Sequence, residues 1–373
     1  MKITGVYWMG PVFDMGGYGN VSRNYLKALE SAGIPVYIHP AGTEHAEIGE
    51  NTIRWIKQLS TKQLGNRVAF VNHGLPPGFQ KPALANIVKH IGVTLFETDR
   101  LPHGWAERAN YMDEIWVPSQ FNYETFTQSG VQAHKLKVIP YPIDVTKYYP
   151  GRPYSRYCFS PPARSFMFLY VFGFDYRKGY DLLIRAFCEE FDKDEEVTLL
   201  LKVYLHSGIN RQEAIREITS CIPEDRHPSQ IILITEPFTE QNLIHLYQTA
   251  DAYVSMDRAS GWGMPAMEMM ALGKPVAAIR WGGSLQFMND HNSFLIDTDN
   301  RLEPVNAKLQ AARPQLYGQH QWAAVPVHAV RKVLREMVQN QAKRNRVARK
   351  AAADIHLNYS PQAIGIHIRK MLS

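Results

Sequence analysis

The sequence predicts an α/β protein made of two doubly wound domains, each on a mainly parallel sheet. Short β-type runs alternate with helical patterns from the start of the chain, a Pro-rich passage interrupts that rhythm, and the alternation then restarts. With 373 residues the chain is also too long for one typical domain. A hydrophobic content of 45% supports full-sized cores rather than disorder.

The elements read in order. "KITGVYW" is a strand, "GYGNVSRNYLKALESAG" a turn and helix, and "PVYIH" the next strand. "RVAFVNH", "IGVTLFE", "EIWVPS" and "KLKVIPY" continue as β-type runs with helical or loop material between several of them. The Pro-rich "VIPYPIDVTKYYPGRPYSRYCFSPPARS" marks a domain boundary near 150–165. Beyond it come the strand "FMFLYVFGF", the helical "YDLLIRAFCEEF", then "VTLLLKVYL", "QIILIT", "LIHLYQTAD", "AYVSM" and "PVAAIR", followed by a basic helical tail. The expected domains are 1–155, 156–345 and a C-terminal helix over 346–373. Ligands of doubly wound sheets bind outside the carboxyl ends of the strands.

Composition narrows the function classes. No apolar run approaches the roughly 18 residues that span a bilayer, and the N-terminus lacks the apolar core of a signal peptide. A cytoplasmic protein is expected. Cys158, Cys188 and Cys221 are far apart and without companion histidines at metal spacing, so they read as reduced structural thiols. The net charge of +6 is uneven, with residues 301–373 at +10 and residues 1–300 at −4. Segment 331–350, "RKVLREMVQNQAKRNRVARK", carries eight basic residues and one acid. A solvated helix face is the plain reading; peripheral contact with an anionic membrane at its inner face, or with a phosphate-bearing acceptor, is the functional one. No aromatic residue interleaves these charges, which argues against nucleic acid.

Three motifs fall just after strands. "FDMGGYGNVSRNYLKAL" places Gly16, Gly17 and Gly19 at a helix start, where backbone can approach an anion. As a dinucleotide fingerprint it runs Gly17-x-Gly19-x-x-Ser22, one glycine short, and "PVYIH" ends without the ribose-holding acid. A nicotinamide enzyme is therefore disfavoured. "GFDYRKGYDLLIRAF" sets Arg177 and Lys178 between strand and helix, two adjacent cations suited to a diphosphate. "SMDRASGWGMPAMEMMALGKPV" reads as a glycine-studded loop and a short helix that Gly273 and Pro275 end. Glu268, expected in the first turn of that apolar helix, either answers the helix dipole or is aimed at a ligand such as a ribose diol. "RWGGS" adds a Gly-Gly turn at the same sheet end.

Taken together these stretches resemble the GT-B-fold retaining glycosyltransferases of glycosyltransferase family 4, over nearly all of residues 1–300. The most specific part is Gly261 to Gly283, "GWGMPAMEMMALGKPVAAIRWGG". "RKGYDLLIRAF" is similar to the family's Lys-Gly-x-x-x-Leu-x-x-Ala-Phe segment, and "GGYGNVSRNYLKALESAG" to its N-terminal glycine loop and helix. "LFETDRLPHGW", "EIWVPSQFNYETFTQSGV" and "VIPYPIDVTKYYP" resemble a subgroup.

The resemblance implies two Rossmann-like domains facing a central cleft, with the last helix crossing back to the first domain. It implies transfer of a hexose from a nucleotide diphosphate sugar, a UDP- or GDP-sugar, to a hydroxyl of a saccharide or lipid-linked acceptor, in polysaccharide or glycoconjugate synthesis. By the same resemblance Glu268 binds the donor ribose, Lys178 neutralises the diphosphate with Arg177 beside it, and Gly16 and Gly17 reach the diphosphate. Glu236 to Phe238 lie where the nucleobase rests, and Gly263, Met264 and Pro265 open the phosphate-side helix. Glu97 stands where many relatives carry a histidine beside the sugar, and His73 and Tyr18 lie on the acceptor side. Two departures stand out. Phe174 replaces an arginine of the phosphate site, and Ser260 replaces the first glutamate of the paired motif, which contacts the transferred sugar. The alternative they favour is a GT-B protein that binds a saccharide or nucleotide sugar without transfer. Asp297-Thr298-Asp299 spells a metal–nucleotide string of a different fold, but it lies past the Gly-Gly motif, and no metal is expected.

Overall fold

The computed structural model describes residues 2–40, 48–160, 162–205 and 208–373. Pro161, inside the Pro-rich passage, lies outside the described residues. The chain forms two compact units. The first comprises residues 1–147, 313–318 and 356–373, and the second 148–312 and 319–355. The division thus falls at 147/148, and the terminal residues from His356 onward belong to the first unit.

Unit 1 alternates β1 (Gly5–Gly10), α1 (Gly17–Ser31), β2 (Val36–Pro40), α2 (Glu50–Leu59), β3 (Val68–His73), β4 (Ile87–Val93), α3 (Trp105–Asn110), β5 (Glu114–Val117), α4 (Gln120–Gln128) and β6 (Leu136–Val138). Its strands pair in the order β2-β1-β3-β4-β5-β6, all parallel. Helices cover such a sheet on both faces, so its strands read as continuous apolar runs. Every residue of β3 is buried, which "VAFVNH" accommodates. The chain leaves β1 for β2 and then returns to β3 on the other side of β1, so the strand order reverses between β1 and β3.

Unit 2 runs β7 (Phe166–Gly173), α5 (Tyr180–Glu190), β8 (Val197–Tyr204), α6 (Arg211–Thr219), β9 (Gln230–Ile234), α7 (Glu240–Thr249), β10 (Ala252–Ser255), α8 (Met264–Ala271), β11 (Val276–Ile279) and β12 (Phe294–Ile296). The sheet order β12-β11-β10-β7-β8-β9 is parallel throughout. Two three-stranded halves diverge from β7 and β10, the arrangement whose reversal point binds nucleotides at the carboxyl strand ends. After β12 come β13 (Leu302–Pro304), α9 (Ala307–Ala312), α10 (Pro314–Tyr317), β14 (Gln321–Ala323), α11 (Val327–Gln339), α12 (Gln341–Tyr359) and α13 (Pro361–Leu372). β13 and β14 pair antiparallel. α13 packs on α1 within unit 1, and Ser31 Oγ donates to Pro361 O at 3.0 Å.

One expectation changes. Helix α8 begins at Met264, so Glu268 sits one full turn inside it rather than in the first turn. At that depth an answer to the helix dipole is weak, because the effect is confined to the terminal turn.

Candidate functional site

In unit 2 the reversal point lies between the carboxyl ends of β7 and β10, and two loops meet there. After β7, Asp175 caps a tight turn by accepting from Arg177 N at 2.9 Å. Gly179 closes that turn with φ +60, and a Cβ there would lie 2.2 Å from Met256 O. Only glycine tolerates both demands. The 256–263 loop is laced to this turn. Arg258 N donates to Arg177 O at 2.9 Å, and Arg177 Nη1 donates to Ala259 O at 2.7 Å. Arg258 also grips Asp181 through two bonds of 2.7 and 2.9 Å, a bidentate clamp that fixes the loop to α5. Burial would raise the Asp181 carboxyl, but the Arg258 bonds outweigh it and hold it below its ordinary value.

Lys178 lies beside Asp257, with Nζ 3.0 Å from Oδ1. Tyr170 Oη is 2.7 Å from that same Oδ1 and 2.7 Å from Lys178 O. Burial, and then Asp257, push the Tyr170 phenol well above its ordinary value, so it serves as a fixed donor. Lys178 keeps 21% of its side chain exposed. Phe174, at the position of the missing arginine, stacks on Tyr180 with ring centroids 5.7 Å apart.

The second loop delivers Ser260 and α8. Ser260 is buried, and Gly283 N donates to its carbonyl at 2.7 Å. A Cβ on Gly283 would meet Gly261 O at 1.9 Å, so the Gly-Gly turn is a close backbone approach that locks the two loops together. Gly263, Met264 and Pro265 are half-buried at the start of α8. Glu268 is 4% exposed within an otherwise apolar helix, and its Oε2 accepts from Tyr247 Oη at 2.9 Å. A buried carboxylate is costly unless it is well bonded, which makes its presence in "PAMEMMA" informative.

At the ends of β8 and β9 lie Lys202, Tyr204, Glu236 and Phe238. The Glu236 carboxylate is exposed and ion-paired with Arg211. The Phe238 ring packs against Tyr157 at 5.4 Å, and Lys202 Nζ stands 5.0 Å from its centroid. Reading the sequence for motifs passes over Lys202, Tyr247 and Arg258. Lys202 nonetheless has a signal, as the one charge inside the apolar run "LLLKVY".

Unit 1 has its own reversal point, between β1 and β3. Gly16 and Gly17 are exposed at the start of α1, and Gly16 N donates to Asp14 Oδ1 at 2.6 Å. Tyr18 lies against His73, with ring centroids 5.3 Å apart. His73 is buried and bonded to Ser22 Oγ through Nδ1 at 2.6 Å. Burial lowers its pKa to about 3, so the imidazole is neutral at pH 7, with one ring nitrogen a donor and the other an acceptor. Glu97, after β4, accepts from Tyr317 Oη at 2.8 Å.

The remaining candidates are engaged elsewhere. Asp297 pairs with Arg280 at 2.7 Å and Asp299 with Arg301 at 2.9 Å, both at the surface. No group of three or more His, Cys, Asp or Glu able to hold a metal ion occurs among the described residues. In the basic segment, Arg331 and Arg335 pair with Glu190 at 3.0 and 2.6 Å, Lys343 with Glu336 at 2.7 Å, and Lys350 with Asp354 at 2.6 Å. No described helix is long and apolar enough to cross a membrane.

Residues 165–312 match the family model described as Glycosyl transferases group 1. The matched residues lie within unit 2. The D-inositol 3-phosphate glycosyltransferase of Rhodococcus jostii is 26% identical over 173 residues, 45% of this chain and 37% of that protein. The enzyme of the same name from Nocardia farcinica is 25% identical over 191 residues, 50% of this chain and 39% of that protein. Each match therefore spans less than two fifths of the relative's length. Among solved structures, Anabaena HepE in complex with UDP superposes with a TM-score of 0.66 at 15% identity, covering 99% of both chains. Sucrose-phosphate synthase from Thermosynechococcus elongatus gives 0.64 at 14% identity, covering 99% of this chain and 98% of that one. These likenesses agree with the two six-stranded parallel sheets. The chain has the GT-B fold, with two Rossmann-like α/β units and C-terminal helices.

Proposed function

We propose that the chain is a hexosyltransferase that takes a UDP- or GDP-hexose as donor and transfers the sugar, with retention, to a hydroxyl of a saccharide or lipid-linked acceptor. The observation that carries this reading is the convergence at the β7/β10 reversal point of Lys178, Arg177 and the start of α8 with the buried carboxylate of Glu268. Cations and a helix N-terminus answer a diphosphate. A carboxylate one helical turn further in answers a ribose diol. The relatives are named as glycosyltransferases, and HepE was solved with UDP, which supports the same assignment.

In the reaction, the bond from the anomeric carbon to the diphosphate breaks, its electron pair leaving with the diphosphate. A bond to the acceptor oxygen forms, and that hydroxyl gives up its proton to the departing diphosphate. Lys178, Arg177 and the amide groups opening α8 would stabilise the departing charge, the preorganised electrostatics on which such catalysis chiefly depends. Asp257, paired with Lys178, is the carboxylate proposed to stand in for the one Ser260 lacks. For a lipid-linked acceptor, the exposed Lys332, Arg346 and Arg349 are the residues that would meet an anionic surface.

Protein cations in place of a metal make a plain prediction. Donor turnover by wild-type protein should survive EDTA. Complete loss with EDTA and recovery on adding manganese or magnesium would overturn this assignment of roles.

A further inference from the structure

Lys202 lies on β8, fully buried, and its chemistry is unfinished. Among the described residues, the acceptor its ammonium reaches is Val203 O, at a long 3.4 Å. Its Nζ stands 3.7 Å from the centroid of the Tyr204 ring and 5.0 Å from that of Phe238. Ring faces attract a cation, but they leave most of its three N–H donors without an oxygen or nitrogen acceptor. A buried ammonium so poorly bonded is costly, which is the mark of a group kept for a partner. Burial lowers its pKa to about 8, with Glu236 opposing, so most of it is still protonated at pH 7.

We infer that Lys202 is the residue that selects the nucleobase: when the covering rings of Tyr204 and Phe238 part to take the base, its ammonium donates to the exocyclic keto oxygen of uracil (O4) or guanine (O6). The inference rests on the donor-site reading above. Three observations direct it to a base rather than a phosphate. The surroundings are aromatic, with Tyr157 extending the surface beside Phe238. The Tyr204 phenol is pushed up to about 12 by burial and then by Glu268, so the field of that carboxylate reaches this spot and disfavours an anion. The candidate phosphate cations, Arg177 and Lys178, lie after β7 at the reversal point, whereas β8 pairs on the other side of β7. A neutral acceptor on a planar ring fits all three. With Glu268 on the ribose, the deepest group meets the base edge farthest from the sugar. There uracil and guanine offer an oxygen, whereas cytosine and adenine offer an amino group, a donor facing a donor.

The test is calorimetric binding of UDP, CDP, GDP and ADP to the full-length wild-type protein and to Lys202→Met, a change of similar length that removes the buried charge. Wild type should bind the keto member of at least one pair, UDP over CDP or GDP over ADP, about tenfold or more tightly, because an unmatched buried polar group rejects the wrong analogue. Lys202→Met should bring that ratio to within about threefold, whatever happens to absolute affinity. Wild type that binds all four alike, or a ratio unchanged in Lys202→Met, overturns the inference while leaving the donor site standing. No binding of any of the four overturns both. The wild-type ranking needs no variant, so a poorly folded Lys202→Met would not shield the idea.

Discussion

Lys178→Ala should weaken nucleoside diphosphate binding by about 1.5–3 kcal/mol, the range for a charge-assisted bond, or roughly ten- to somewhat over a hundredfold in affinity. The upper end is expected here because of Asp257. In the free protein the Lys178 ammonium is 3.0 Å from Asp257 Oδ1, and that carboxylate is nearly buried. Removing the lysine therefore deletes an attraction and also leaves an uncompensated negative charge beside the diphosphate. Tyr170 still donates to Asp257, so the loop retains an anchor. The double variant Lys178→Ala/Asp257→Asn should recover part of the loss, since neighbouring charges couple and their effects do not add. Unchanged affinity in Lys178→Ala, measured by calorimetry, would remove Lys178 from the site.

Glu268→Gln should lower nucleoside diphosphate affinity about tenfold or more for every base, because the ribose is common to all of them and a neutral amide is a weaker acceptor than a carboxylate. The amide oxygen can still accept from Tyr247, so the fold of α8 should hold. Ser260→Glu should behave differently. Ser260 is locked between the β10 loop and the Gly-Gly turn, with Gly283 N on its carbonyl, and its hydroxyl is uncharged. A glutamate there should change the ranking of kcat/KM among sugars that share one nucleotide, leaving the base preference alone. If every sugar ratio stays fixed, Ser260 is not beside the sugar. If wild type is inert with all donors and Ser260→Glu turns over, the non-transferring reading was right.

Much of this was legible from residue order. The alternation of β-type and helical runs showed both parallel sheets, since buried strands such as "VAFVNH" and "FMFLYVFG" are mostly apolar. Strand order was not legible, because the reversal points depend on which strands pair across long sequence separations. The close backbone approaches of Gly179 to Met256 O and of Gly283 to Gly261 O are visible only in the folded chain. Glu268 was visible as a carboxylate in an apolar helix. Its register was misjudged by one residue, because Pro265 reads as a start while the helix begins at Met264, which puts Glu268 just past the first turn. Lys202 was passed over because a strand lysine belongs to no motif; its meaning comes from burial beneath Tyr204 and Phe238. The basic segment looked like a free cationic face in sequence. In the fold, several of its charges meet Glu190, Glu195, Glu336 and Asp354, which a count of charges does not reveal.

The central claim is transfer from a nucleotide diphosphate hexose, and turnover tests it most directly. Purified wild-type protein would be incubated with a panel of UDP- and GDP-hexoses and a pool of saccharide acceptors, with released nucleoside diphosphate quantified and the glycoside product examined by NMR. The account predicts release from at least one donor, matched by a product that keeps the donor's anomeric configuration. Donor that binds but releases no nucleoside diphosphate, or a product of inverted configuration, would contradict it.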